Sequence, residues 1–365
     1  MRGGASKVFG SRLPEALSLL NFKSQLDLLR SDTLTVLCYH RIGRPDDDQF
    51  HGFRPNFSAS PEQFKLQMKL LRTLFSPVSL QDVLHWHETG NALPRRAVLV
   101  TFDDGYRDNG DLAWPIMRSL EIPGVVFVAT DYIGTGKAFL WDFAAYCFEA
   151  TKHERVLLPL LGETHLSTPS ERHIAVSAWV EASKRQRAGK RSILVHALAK
   201  ALEVSPPPEA FARLCLDWPT IRSLEKEGLE FGGHTHTHPI LTQLSSSEAQ
   251  DEIATSQRIL SAELGHPVRA FAYPNGSASD YSSEHEEAVE RAGFAMGFSL
   301  EPGPTTLEEV NNRPTAVRRL YVGRQDSIPR LLIKCFGAAR FASSRKGHGD
   351  FAAAIGAKQT SAEAR

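Results

Sequence analysis

Thr101-Phe102-Asp103-Asp104-Gly105-Tyr106 sets two adjacent carboxylates directly behind the apolar run Ala97-Val98-Leu99-Val100. That run reads as a buried strand. The pair therefore falls at a strand's carboxyl end, where α/β folds place their chemistry. Neighbouring positions on an extended chain point to opposite sides, so Asp103 and Asp104 can take different tasks. A second set, His234-Thr235-His236-Thr237-His238-Pro239, carries three histidines at alternate positions. On a loop or a helical turn, His234 and His238 can converge on one cation. Imidazole nitrogens suit divalent transition metals, and two histidines plus a carboxylate form a common catalytic set that leaves positions open for water. Taken alone, the Asp-Asp-Gly turn is also ordinary turn chemistry, and the histidines are equally a surface or satisfied-core pair. Position favours chemistry, because the histidines also follow a predicted strand, Leu229–Gly233, and both sets then meet at one rim of a sheet.

The elements that must bring them there alternate along the chain. Leu34 to His40 is the first strand, and Pro61 opens a helix with Phe64, Met68, Leu71 and Leu74 at helical spacing. A helix over Leu80–Glu88 precedes the Asp-Asp strand, and one over Asn109–Leu120 follows it. Gly124–Ala129 is the next strand. From about 134 to 216 strand signals thin and charged helical segments take over, with Lys184, Arg185, Arg187, Lys190 and Arg191 as a basic cluster and Pro206-Pro207-Pro208 as a breaker. This stretch reads as a helical insertion. Its basic cluster reads first as a solvated helix face, with an acidic ligand or membrane surface as the alternative. The alternation then resumes: a helix ending at Gly228, a helix from Ser245 to Leu264 ending at Gly265, strands at Ala270–Pro274, Met296–Leu300 and Arg319–Val322, and a helix near Glu284–Ala292. One apolar run per strand–helix unit predicts a mainly parallel sheet, open or closed. Residues 1–32 read as a helical lead-in, 33–342 as the main domain ending in a helix over Ile328–Ala342, and 343–365 as a disordered tail.

Bulk properties exclude several classes. Lys plus Arg and Asp plus Glu number 42 each, so no basic field recruits nucleic acid. Cys38, Cys147, Cys215 and Cys335 have no paired ligand spacing and read as free thiols of a reducing compartment. No run is long and apolar enough to span a bilayer, and Ala16–Phe22 makes a poor signal peptide. The expectation is a cytoplasmic protein, with peripheral membrane contact left open.

Three stretches in order carry a family resemblance: Thr101–Tyr106, His234–Pro239 and Arg269-Ala270-Phe271-Ala272-Tyr273-Pro274-Asn275-Gly276. They resemble the first three motifs of the polysaccharide deacetylases, the NodB-like enzymes of carbohydrate esterase family 4. Val36–Ile42 and Gly124–Val128 resemble the same family, and the likeness runs from about Thr35 to Val322 around the insertion. It implies an α/β fold, a distorted parallel (β/α)7-type barrel with a helical insertion. It also implies a divalent metal held by Asp104, His234 and His238, with Zn²⁺ first and Co²⁺, Ni²⁺ or Mn²⁺ as alternatives. By position, Asp103 is the general base toward metal-activated water, and the backbone N–H of Tyr273 is the oxyanion donor. Tyr106, His40, Pro274, Asn275 and Arg319 stand as candidate substrate contacts, with Arg324 and Asp326 behind them.

Two departures matter. Ala272 stands where many members carry an Arg that holds the catalytic Asp, so Asp103 must be oriented from elsewhere. The family's late His has no counterpart, since no His lies between Leu300 and Arg330. The general acid is thus open, with His40 at the rim as a candidate. Trp141-Asp142 either line a sugar groove or pack. The implied function is a metal-dependent hydrolase that removes N-acetyl groups from an N-acetylated glycan, a poly- or oligosaccharide such as an exopolysaccharide precursor. The alternatives are a hydrolase of a non-sugar C–N amide on the same scaffold, and a carbohydrate-binding protein whose catalysis has decayed.

Overall fold

The computed structural model describes residues 32–46, 52–186 and 188–337. The expected helical lead-in, the tail from 343 and the last part of the expected Ile328–Ala342 helix lie outside these residues. That helix is described over Ile328–Cys335.

Six parallel strands form the main sheet: β1 (Thr33–Tyr39), β2 (Ala97–Phe102), β3 (Gly124–Val128), β4 (Glu230–Gly233), β5 (Ala270–Ala272) and β6 (Met296–Phe298). They lie side by side in chain order, each joined to the next by a crossover connection. Two short strands flank β1 on its free side. β7 (Thr305–Thr306) pairs antiparallel with Thr33 and Leu34, and β8 (Leu320–Tyr321) pairs parallel with Leu37 and Cys38. Just before β8, Val317 forms a parallel bridge with Phe298 of β6. The segment Val317–Tyr321 therefore spans the gap between the first and last strands and curls the sheet into the expected parallel barrel-like fold.

The strands read as unbroken apolar runs because both faces are covered. Leu34, Val36, Leu99, Val125, Phe127, Ala272, Phe298 and Val317 pack inside the curl. Leu37, Tyr39, Val98, Val100, Phe102, Val126 and Val128 pack outward against the helices. Local signals end the helices as the sequence predicts. Ser245 caps the Ser246–Leu264 helix in a capping box with Glu248, and Gly265 stops it in the left-handed region. Gly228 is likewise left-handed after the Trp218–Lys226 helix.

The stretch 134–216, between the adjacent strands β3 and β4, holds the helices Leu140–Ala150, Pro169–Lys184 and Ala188–Ala201 and a β-hairpin of Arg155–Leu158 with Gly162–His165. The expectation of a helical insertion, in which strand signals thin out, missed the hairpin. Its strands are four residues each, and its turn carries Pro159 and a left-handed Leu160 rather than an Asn-Gly pair. Among the described residues no helix is long and apolar enough to cross a membrane.

Candidate active site

Each of the predicted chemical residues sits just past a strand's carboxyl end. Asp103 donates its backbone N–H to Tyr39 O at 2.9 Å, the last rung between β1 and β2. The chain then turns: Asp104 and Gly105 are both left-handed, at φ 77° and 81°. Asp tolerates that region, and Gly105 has no alternative, since a Cβ there would meet Val128 Cγ1 at 2.9 Å. It is this left-handed turn, rather than strand alternation, that aims the two carboxylates at different partners. His234 continues β4, its N–H donated to Val128 O. Thr235 and His238 are left-handed, at φ 63° and 59°, a strained state for a β-branched residue. The loop that doubles back so tightly is held by its own bonds. Thr235 Oγ1 accepts from His238 N, and Glu252 of the Ser246–Leu264 helix accepts from His236 N at 2.8 Å and from Thr237 N at 2.7 Å. His236 points away, its Nδ1 bonded to Thr130 Oγ1.

The result is convergence. Nε2 of His238 lies 3.3 Å and Nε2 of His234 3.6 Å from Asp104 Oδ1, with one ligand atom from each residue within 4.8 Å of the others. His234 Nδ1 lies 2.7 Å from Ala272 O. A carbonyl only accepts, so Nδ1 carries the proton and Nε2 faces Asp104 with its lone pair. Burial pushes the pKa values of both His234 and His238 down to about 4, so the rings are neutral, as a metal ligand requires. Asp104 is fully buried and neither carboxylate oxygen accepts a hydrogen bond. Burial raises its pKa, against the attraction of His40 and His234. A buried, unbonded carboxylate is costly, and a cation between it and two neutral imidazoles removes that cost. The three residues fit a divalent ion.

Asp103 has a different environment. Arg319 grips it with two bonds, Nη1 to Oδ1 at 2.6 Å and Nη2 to Oδ2 at 2.8 Å. Burial by itself would raise the Asp103 pKa, but the guanidinium and His234 overcome it and hold the carboxyl well below the usual range. Arg319 is itself only 1% exposed and anchors its Nε on Ser299 O. It is therefore the missing orienting Arg, supplied by the segment that closes the curl, and not the substrate contact expected. No sequence signal ties Arg319 to Asp103, because the two are 216 positions apart.

Other expectations are corrected. The backbone N–H of Tyr273 is spent on Phe298 O at 3.0 Å and its hydroxyl on Thr315 O, so it is no oxyanion donor. Tyr106, expected as a substrate contact, is fully buried with its hydroxyl engaged inside the protein. Its hydroxyl donates to Asp142 and accepts from Trp141 Nε1 and Asn56. Burial raises Asp142 to about 6. Trp141 packs rather than lining an open groove: it stacks on Phe139 and stands edge-on to His238, with ring centres 5.1 Å apart. This cluster walls the His234–His238 loop. Pro274 is buried and Asn275 half-buried in the next loop. His40 is half-buried beside Asp103: its ring nitrogen, the Cys38 sulfur and an Asp103 oxygen lie within 4.8 Å of one another. Arg324 and Asp326 bond to Asp46 and Lys334 and lie away from this constellation. All four cysteines are buried and free.

A family model described as polysaccharide deacetylase matches residues 90–297. The poly-β-1,6-N-acetyl-D-glucosamine N-deacetylase of Staphylococcus aureus is 31% identical over 113 residues, 29% of this chain and 39% of that protein. Its Staphylococcus epidermidis counterpart is 28% identical over 108 residues, 27% of this chain and 37% of that protein. The chain thus spans less than half the length of these curated relatives. Among solved structures, the Streptococcus pyogenes deacetylase PplD, in complex with acetate, superposes with a TM-score of 0.56 at 16% identity, covering 84% of this chain and 99% of that one. IcaB from Ammonifex degensii superposes at 0.53 with 20% identity, covering 84% and 98%. At these identities the two structures share the fold with this chain.

Proposed function

The chain belongs to the polysaccharide deacetylase family, and from that premise we propose that it hydrolyses the N-acetyl groups of an N-acetylated glycan, releasing acetate and leaving a free amine. The observation that carries this reading is the pairing of two carboxylates in opposite states, Asp104 without hydrogen bonds beside two neutral imidazoles and Asp103 locked by Arg319. Asp104, His234 and His238 would hold a divalent ion, Zn²⁺ first by its preference for this donor set. Such an ion supplies Lewis-acid polarisation of the amide carbonyl and a more acidic water.

The chain's own residues do the rest. Asp103, ionised and fixed in orientation by two charge-assisted bonds, takes the proton of the attacking water. His40, with a ring nitrogen within 4.8 Å of an Asp103 oxygen, relays that proton to the leaving amine. The developing oxyanion needs an N–H donor, and elimination along the loop supplies one. Tyr273 N–H is bonded to Phe298 O, Pro274 has none, Gly276 N–H is bonded to Pro274 O and Ser277 N–H to Asp280. Within residues 273–277 this leaves the N–H of Asn275, whose backbone is left-handed at φ 59°.

The names of the curated relatives make β-1,6-linked poly-N-acetylglucosamine the first substrate to test. Acetate release from oligomers of this glycan, and of other N-acetylated glycans, should appear when Zn²⁺ or Co²⁺ is added. Absence of release from every one of them, with one bound metal per chain measured, would remove the reading.

A further inference from the structure

A second group of ligand atoms stands behind the base. Cys38 Sγ lies 3.3 Å from Asp103 Oδ2 and 4.0 Å from His40 Nδ1. The three ligand atoms fall within 4.8 Å of one another, and the sulfur and carboxylate are buried. A tetrahedral ion with bonds of about 2.3 Å to sulfur and about 2.0 Å to nitrogen or oxygen separates its ligands by roughly 3.5 Å. The two separations from the sulfur, 3.3 and 4.0 Å, differ from that by about half an ångström or less, within reach of side-chain rotation. Cys38, His40 and Asp103 thus offer one soft, one borderline and one hard donor, and the thiolate with the imidazole favours Zn²⁺ or Cd²⁺ over Mg²⁺ or Ca²⁺. We propose that these residues form a second, thiophilic divalent-metal site whose occupation silences the enzyme.

Binding replaces the S–H···O contact with a metal–thiolate bond and releases the thiol proton to solvent. It draws Asp103 Oδ2 into coordination in competition with its bond from Arg319 Nη2, leaves Oδ1 on Nη1, and occupies His40, so both groups are lost to proton transfer. The inhibitory consequence rests on the reading of Asp103 and His40 given above; the site itself does not.

Cd²⁺ titration of the metal-free protein tests it. The wild type should take up two Cd²⁺ per chain, with the ultraviolet sulfur-to-cadmium charge-transfer band growing only with the second. Cys38→Ser and Cys38→Ala should bind one Cd²⁺ with no band, and that retained first equivalent certifies their fold. Excess Zn²⁺ should lower acetate release by the wild type at least tenfold relative to one equivalent, while each variant keeps its own one-equivalent rate. A single Cd²⁺ per wild-type chain, or a band that survives in both variants, overturns the site. The band with no acetate release at any metal content leaves the site standing and overturns the deacetylase reading instead.

Discussion

Asp103 and Asp104 are chemically identical, adjacent and both buried, yet their surroundings push them apart. Asp103 is bonded twice by Arg319, whereas Asp104 accepts no hydrogen bond and faces two neutral rings. Asp103→Asn should therefore lower turnover by about 10²–10⁴-fold while bound metal, measured by elemental analysis, stays at the wild-type level. Arg319→Met leaves a buried carboxylate unpaired and should cost about 3–5 kcal/mol of stability at neutral pH. The sign with pH follows from the depressed folded pKa. The pair's stabilisation is present above the unfolded value of about 3.9 and is lost as pH falls through the lower folded value. In Arg319→Met burial is opposed only by His234 and His40, the folded pKa rises, and the pH-dependent stabilisation shrinks. Equal melting temperatures for variant and wild type at pH 7 would contradict this.

At the level of elements, two tight turns do the positioning. The Asp104–Gly105 turn needs a residue without a Cβ at 105, because Val128 and Ile133 close over it. Gly105→Ala combines that clash with a left-handed backbone and should cost about 1–3 kcal/mol, read from chemical denaturation midpoints. The His234–His238 loop is tied by Glu252, one helix away, which takes three hydrogen bonds from residues 236 and 237. Outer groups that orient ligands matter nearly as much as the ligands. Glu252→Ala should weaken metal affinity about 10–100-fold in competition with a chelator, and an unchanged affinity would show that the loop holds itself.

For the whole molecule, an ion bound only by the folded chain couples the site to global stability. Saturation at 100 times the dissociation constant contributes about 2.7 kcal/mol, so the melting temperature should rise by several degrees on metal addition and fall with chelator. Protons compete with it. His234 and His238 titrate near 6.5 when unfolded and at about 4 when folded. The unfolded chain therefore binds more protons between those values, and stability of the metal-free protein should fall as pH drops from about 6.5 to 4, as thermal melts across that range will read. The sequence by itself determined the parallel alternation, through strands apolar on both faces, and the four central residues Asp103, Asp104, His234 and His238, because each stands beside a strand end that local pattern marks. It did not determine Arg319, Glu252, Cys38 or the engaged N–H of Tyr273. Those roles depend on which distant segments the curl of the sheet presses together. Val317–Tyr321 reaches Asp103 only once it has closed the gap between β6 and β1, and contacts across 216 positions leave no periodicity for a sequence to show.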